Sequence, residues 1–326
     1  MAHPYHQQQH DQAMRTAIIP PTSHPPTQAH DNGTKDNSKM HPAAKKQTDF
    51  PISNTTAILA FTNLTHPQAL PSFFPHSQIN HALTTTFNTI TAPELKATQR
   101  ILDTYTFRQA LQPSNPNPAL IKLDVRSLPT NPLTIISAIL AHTISTSTPS
   151  PVLASFCNRN LNLNTSTTTP SALQITTTLT TQLLLYLSTR HPKIDLAATM
   201  LQAPSGATFR STEHLNDTIE VLGTLLLSLP QGETIFFIVD SVGQLDVDSE
   251  WDLVLALVRV IGLTKHHVSV KVVVTGTRGE LSEWLDGYFK GDESYVSIST
   301  AVGHSFKGAR VDLGDAFETV KGWMVG

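Results

Sequence analysis

Cysteine is almost absent: Cys157 is the only one in 326 residues, so no intramolecular disulfide can form and the chain fits a reducing compartment. Charge is scarce too. Asp, Glu, Lys and Arg make up 14% of the chain, against about a quarter in ordinary domains. A net charge of -3 and a pI near 6.6 lack the basic excess that nucleic acid or an anionic membrane calls for. No apolar run approaches the roughly 20 residues of a membrane helix. The opening MAHPYHQQQH has no basic and then apolar region, as a secretory signal would. These absences predict a soluble, cytoplasmic protein whose partner is neither nucleic acid nor membrane.

What is present divides by composition. Residues 1–48 are rich in Gln, His, Pro, Asn and Lys and hold too few apolar clusters to offset the entropy of ordering, which predicts a disordered tail. His3, His6, His10, His24, His30 and His41 lie in it at irregular spacing, a weak pattern for a metal site. Residues 49–91 are more apolar but broken by Pro51, Pro67, Pro71 and Pro75, and read as an irregular or loosely helical lead-in. From residue 92 to about 300 the pattern alternates as an α/β fold requires, and 301–326 is a C-terminal remnant. A first helix runs from about Pro93 to Tyr105, with Thr91 as its cap. Strands are expected at Ala119–Val125, Val152–Cys157, Ile235–Val239, Val268–Val274 and, last, Tyr295–Ile298. Helices are expected at Ile135–Ile144, Ser171–Thr189, Glu213–Leu229 and Glu250–Leu263. Leu215, Ile219, Leu222, Leu226 and Leu229 mark one face of the third of these, and Ser249 with Asp252 resembles a capping box at the start of the fourth. The fold class is therefore three-layered α/β: a mainly parallel sheet, with Ile235–Val239 and Ala119–Val125 central, flanked by helices.

The most informative stretch is Thr234 to Arg278. IFFIVD is too apolar for a strand with a wet face, and it ends in an acid, Asp240. In open parallel sheets ligands bind beyond the carboxyl ends of the strands, and Asp240 and Arg278 would both reach that edge. This is where a P-loop NTPase keeps its magnesium-holding Asp. A phosphate-cradling G-x-x-x-x-G-K-[ST] is missing. Its place, between the first strand and the next helix, is taken by Ser127-Leu-Pro-Thr-Asn-Pro-Leu-Thr134. Ser127 and Pro132 stand on the two glycines, Leu133 on the lysine, and Thr134 on the magnesium-binding hydroxyl. Pro132 has no N–H to offer phosphate, and Leu133 removes the cation.

In the order of these pieces the chain resembles the fungal NACHT-like members of the STAND class of P-loop NTPases. RILDTYTF at Arg100–Phe107, the loop Ser127–Thr134, VLASFC at Val152–Cys157, TQLLLYLSTRHP at Thr181–Pro192, VDSVGQL at Val239–Leu245 and VKVVVTGTR at Val270–Arg278 follow that family's succession over roughly residues 92–279. The resemblance implies a P-loop-like domain that is degenerate and truncated. The second acid of the family's DALDE falls on Gly243, and the Glu that would polarise the attacking water falls on Gln244. What remains of a nucleotide site would be Ser127, Thr134, Asp240 and Arg278, with Thr134 and Asp240 as metal ligands only if magnesium-nucleotide binds. No cofactor is expected, and any magnesium-ATP would be held weakly. The reading is a non-hydrolysing regulatory or protein-interaction module with an unidentified protein partner.

Two other readings compete. One keeps residual ATP binding for signalling. The other takes Ser241 as a hydrolase nucleophile after a strand, with a later acid and His304 in the right chain order. Against it, Val239 stands where the nucleophile elbow needs a small residue, and Gly243 to Asp248 separates Ser241 from the next helix. Each residue also has a plain structural role: Asp240 as a hydrogen-bonded strand end, Thr134 as a helix-start hydroxyl, Arg278 as an ion-pairing residue and Cys157 as a small buried side chain.

Overall fold

Every strand expected from the apolar runs forms, and all pair in parallel. A computed structural model of the chain describes residues 53–126, 132–157, 170–203, 214–301 and 313–325. The tail, the loop from Ser127 to Asn131 and His304 lie outside the described residues. The strands are β1 (Ala119–Arg126), β2 (Val152–Phe156), β3 (Thr234–Asp240), β4 (Ser269–Thr275) and β5 (Tyr295–Ala301). They form one sheet in the order β2-β3-β4-β1-β5, with Ile235 opposite Val270 and Ile121 opposite Val273. β4 is therefore the middle strand, with β3 and β1 on either side of it. All seven residues of β3 and all seven of β4 are buried, as parallel strands covered on both faces must be.

The helices are α1 (Asn54–Thr62), α2 (Pro75–Phe87), α3 (Ala92–Leu102), α4 (Tyr105–Leu111), α5 (Pro132–Ser147), α6 (Ala172–Arg190), α7 (Leu196–Leu201), α8 (Leu215–Leu227), α9 (Val247–Thr264), α10 (Gly279–Tyr288) and α11 (Leu313–Val325). Strand order decides which face each covers. The step from β1 to β2 runs one way along the sheet, and the later steps run the other way. Right-handed crossovers then put α5 on one face and α6, α8, α9 and α10 on the other. Two separate cores match this division. Leu120, Phe237 and Val272 pack with Leu183, Leu222, Leu257 and Leu285. Ile121, Phe236, Ile238 and Val273 pack with Ile136, Leu140, Ile101 and Trp323.

Several local expectations are sharpened. The lead-in contains α1 and α2, the latter opened by Pro75 in its first turn, where a missing N–H costs nothing. The helix expected from about Pro93 to Tyr105 ends at Leu102, and α4 follows; Thr91 and Glu94 form a capping box at the start of α3. The start of α9 is set not by Ser249 with Asp252 but by Asp246, whose carboxylate accepts from the Ser249 N–H at 2.8 Å. Threonines are mediocre helix formers, yet α6 absorbs a run of them: Thr176, Thr180 and Thr181 each donate to the carbonyl four residues back. The C-terminal segment, expected as a remnant, supplies α11, whose Val320 and Trp323 are buried in the second core. The outer edge of β2 is blocked by Gln182 of α6, whose amide accepts from the Ala154 N–H and donates to the Ala154 carbonyl, both at 2.8 Å. A side chain thus stands where another strand could have paired.

Candidate functional site

Opposite directions of departure from β1 and β4, which are neighbours, open a crevice at their carboxyl ends, the ordinary ligand position in such sheets. Asp240, at the end of β3, lies one strand away. Its carboxylate is fully buried and meets four hydroxyls. Oδ2 accepts from Thr134 at 2.7 Å and Ser241 at 2.8 Å; Oδ1 accepts from Thr275 at 2.7 Å and Ser137 at 3.1 Å. Burial raises its pKa above the ordinary carboxylate value, against the opposing pull of Thr275, Thr134, Ser241 and Ser137. The cage ties α5, through Thr134 and Ser137, to the tips of β3 and β4. Thr275 extends it by accepting from the Ser241 N–H at 2.9 Å.

Of the residues singled out in sequence, Thr134 and Asp240 are brought into direct contact. Arg278 is held elsewhere. Its backbone N–H donates to Glu250 Oε1 at 2.7 Å, its Nε lies 3.5 Å from Glu250 Oε2, and its guanidinium donates to the Leu245 carbonyl. It clamps the start of α9. Glu250 is itself buried, which raises its pKa, while Arg278 draws it back. Ser127 and His304 lie outside the described residues. Leu133, on the lysine's place, is 2% exposed and packed in the second core. Gln244 is exposed. A Cβ on Gly243 would sit 2.4 Å from the Gly276 carbonyl oxygen, so the turn Val242–Gln244 can approach the exit of β4 only without a side chain there. Any side chain at 243 would require the turn or the Gly276 carbonyl to shift.

Ser241 adopts a left-handed conformation, φ 58°, as a strained turn after a strand can. Its side chain is nevertheless 1% exposed and its hydroxyl donates to Asp240. Cys157 is buried, and burial followed by the charges of Asp240 and Glu250 raises its thiol pKa well above the ordinary value. It is a poor nucleophile.

Asp124, near the end of β1, is the acid that sequence reading passed over. It accepts from Thr277 Oγ1 at 2.9 Å, the Thr277 N–H at 3.2 Å and Ser282 Oγ at 2.8 Å. Lys122, two residues earlier and 1% exposed, ion-pairs with Asp286 at 2.7 Å and stands 3.5 Å from Asp124. The turn after β4 is therefore fastened to the carboxyl end of β1 by Asp124. Ser137 and Thr275 were also missed. The available signal for Ser137 was its spacing of three from Thr134 on an otherwise apolar helix, which puts both hydroxyls on one face.

A carboxylate offers about four lone-pair sites, and all four at Asp240 face a hydroxyl. Magnesium would have to displace one of these bonds inside a fully buried pocket, so the cage as built does not fit the cation. Among the described residues no group of three or more His, Cys, Asp or Glu side chains is placed to hold a metal, and no helix is long and apolar enough to cross a membrane. The fold and site define an α/β domain with an all-parallel five-stranded sheet. Comparison of the chain with protein-family models, with curated proteins and with solved structures gives no significant match.

Proposed function

We propose that this chain is a non-hydrolysing, P-loop-like scaffold that acts as a regulatory or protein-interaction module. The observation that carries the reading is the Asp240 cage. The acid lies at the end of an internal strand and contacts the hydroxyl at the start of the helix after β1, the pairing that would share a magnesium ion in a working NTPase. Here both groups are spent on each other and on Ser137, Ser241 and Thr275. Leu133 is in the core, Gln244 is exposed and unable to act as a base, and the Asp124 carboxylate is taken up by Thr277 and Ser282. What would be a catalytic edge serves as a structural tie.

Calorimetric titration with millimolar magnesium-ATP is the test. The expected result is no resolved heat and no turnover above buffer, because losing one charge-assisted phosphate contact alone costs about 1.5–3 kcal/mol. Submicromolar binding that vanishes in Asp240→Ala would overturn the reading in favour of a residual nucleotide site. The hydrolase reading draws no support from Ser241, whose hydroxyl is buried and donated to Asp240; covalent labelling of Ser241 by a fluorophosphonate would revive it.

A further inference from the structure

Aromatic residues are only 6% of the chain, yet two of the three tryptophans and two of the five tyrosines stand in one continuous row. Trp251 of α9 meets Trp284 of α10 edge-on at 5.2 Å. Trp284 stacks on Tyr288 at 4.9 Å, Tyr288 meets Phe289 edge-on at 4.9 Å, and Phe289 stacks on Tyr295 of β5 at 5.1 Å. The row forms the outer margin of the first core: Trp251, Trp284, Phe289 and Tyr295 pack against it partly buried, and Tyr288 is 40% exposed.

Charge is concentrated on the same two segments. Residues 246–252 carry four acids and residues 279–293 carry five, nine of the chain's 25, against one of its 22 basic residues, Lys290. Some of these acids have internal duties: Glu250 is paired with Arg278 and Asp286 with Lys122. Asp248, Glu280, Glu283 and Glu293 stand exposed, as does Asp292, whose carboxylate also accepts from the Ser294 N–H and hydroxyl. The row is also held in place from within, because the Tyr295 hydroxyl donates to Asp286 at 2.7 Å while Asp286 receives Lys122.

We infer that this aromatic, acid-flanked surface of α9, α10 and β5 docks a lysine- and arginine-rich peptide segment of a partner protein. Charge complementarity selects the occupant. Ring faces attract ammonium and guanidinium groups, surrounding carboxylates add to that attraction, and the same carboxylates repel nucleic-acid phosphates. Aromatic side chains already fixed by stacking lose little entropy on binding. The row spans three elements, too broad for one small cation and suited to successive side chains of a peptide. This names the partner chemistry of the interaction role proposed above and rests on that reading, but the nucleotide and peptide titrations fail independently of one another.

The test is fluorescence anisotropy of a labelled lysine-rich peptide titrated with the full chain, alongside a glutamate-rich peptide of equal length. The basic peptide is expected to bind, and the acidic one not to. Removing one partly exposed cation–π partner by Tyr288→Ala should weaken binding roughly fivefold, and the surface pair Glu283→Lys with Asp292→Lys should weaken it about tenfold or more at low salt. Far-UV circular dichroism checks that these variants remain folded. Equal binding of both peptides, or affinity unchanged by both sets of substitutions, would overturn the inference. So would self-association of the full chain, read by sedimentation and abolished by Tyr288→Ala, since the occupant would then be a second copy.

Discussion

Among the described residues, Asp240 and Lys271 are charges buried in this sheet without an opposite charge beside them, and they are treated differently. Asp240, at the carboxyl edge, has four hydroxyl donors from three directions. Lys271, in β4 and equally inaccessible, donates to the Asn117 carbonyl, and among the described residues meets no carboxylate. Burial lowers its pKa from 10.5 to about 8. The carboxylate is compensated by its neighbours and the ammonium is barely compensated at all. A buried charge with a complete hydrogen-bond shell can serve as a joint between elements, whereas one with a single acceptor is mostly a cost.

That contrast predicts opposite signs for removing each group. Asp240→Ala strands four buried hydroxyls and should lower stability by about 3 kcal/mol or more, seen as a lower urea midpoint. Asp240→Asn, which still accepts through one oxygen, should cost less. If Asp240→Ala is neutral, the joint is not one. Lys271→Met should instead stabilise the protein at pH 7, by at most about 3 kcal/mol, the ceiling set by the lowered pKa, less the cost of leaving the Asn117 carbonyl without its donor. The pH dependence follows from the same shift. Between about pH 8 and 10.5 the unfolded lysine keeps its proton while the folded one has lost it. The unfolded state then binds more protons, and stability due to this group rises with pH across that window. The Met variant should lack that component, and an unchanged profile would show that Lys271 is better satisfied than its single acceptor implies. The smallest effect is expected at the turn that abuts the cage: Gly243→Ala forces a Cβ against the Gly276 carbonyl and should cost about 1–3 kcal/mol. Tolerance of alanine there would mean that the turn can move away from the Gly276 carbonyl.

The sheet was legible because parallel strands are buried on both faces: the mostly apolar runs ending at Val125, Cys157, Val239 and Val274 had no other stable environment. The pairing of Thr134 with Asp240 was legible only as a pair of positions, one at a helix start and one at a strand end. The rest of the cage was not, because Ser137 and Thr275 are ordinary residues whose value depends on strand order. Only when β4 stands between β1 and β3 does Thr275 come beside Asp240. Lys122 and Lys271 were readable as charges inside apolar runs, but nothing in the runs indicates that Asp286 of α10 will meet the first and the Asn117 carbonyl the second. The terminal helix α11 was missed because its apolar positions gain a meaning only from the α3 and α5 surfaces that they cover.

The claim at the centre is that Asp240 is a structural joint whose lone pairs are already used, and not a cation ligand. Urea unfolding of the full chain, with and without millimolar magnesium, tests it most directly when run on the native protein and on Asp240→Ala. The expected result is a native midpoint indifferent to magnesium and a variant midpoint lowered equally in both conditions. A midpoint raised by magnesium in the native protein and unmoved in Asp240→Ala would contradict it, since only a cation bound to the folded state through that carboxylate could produce the difference.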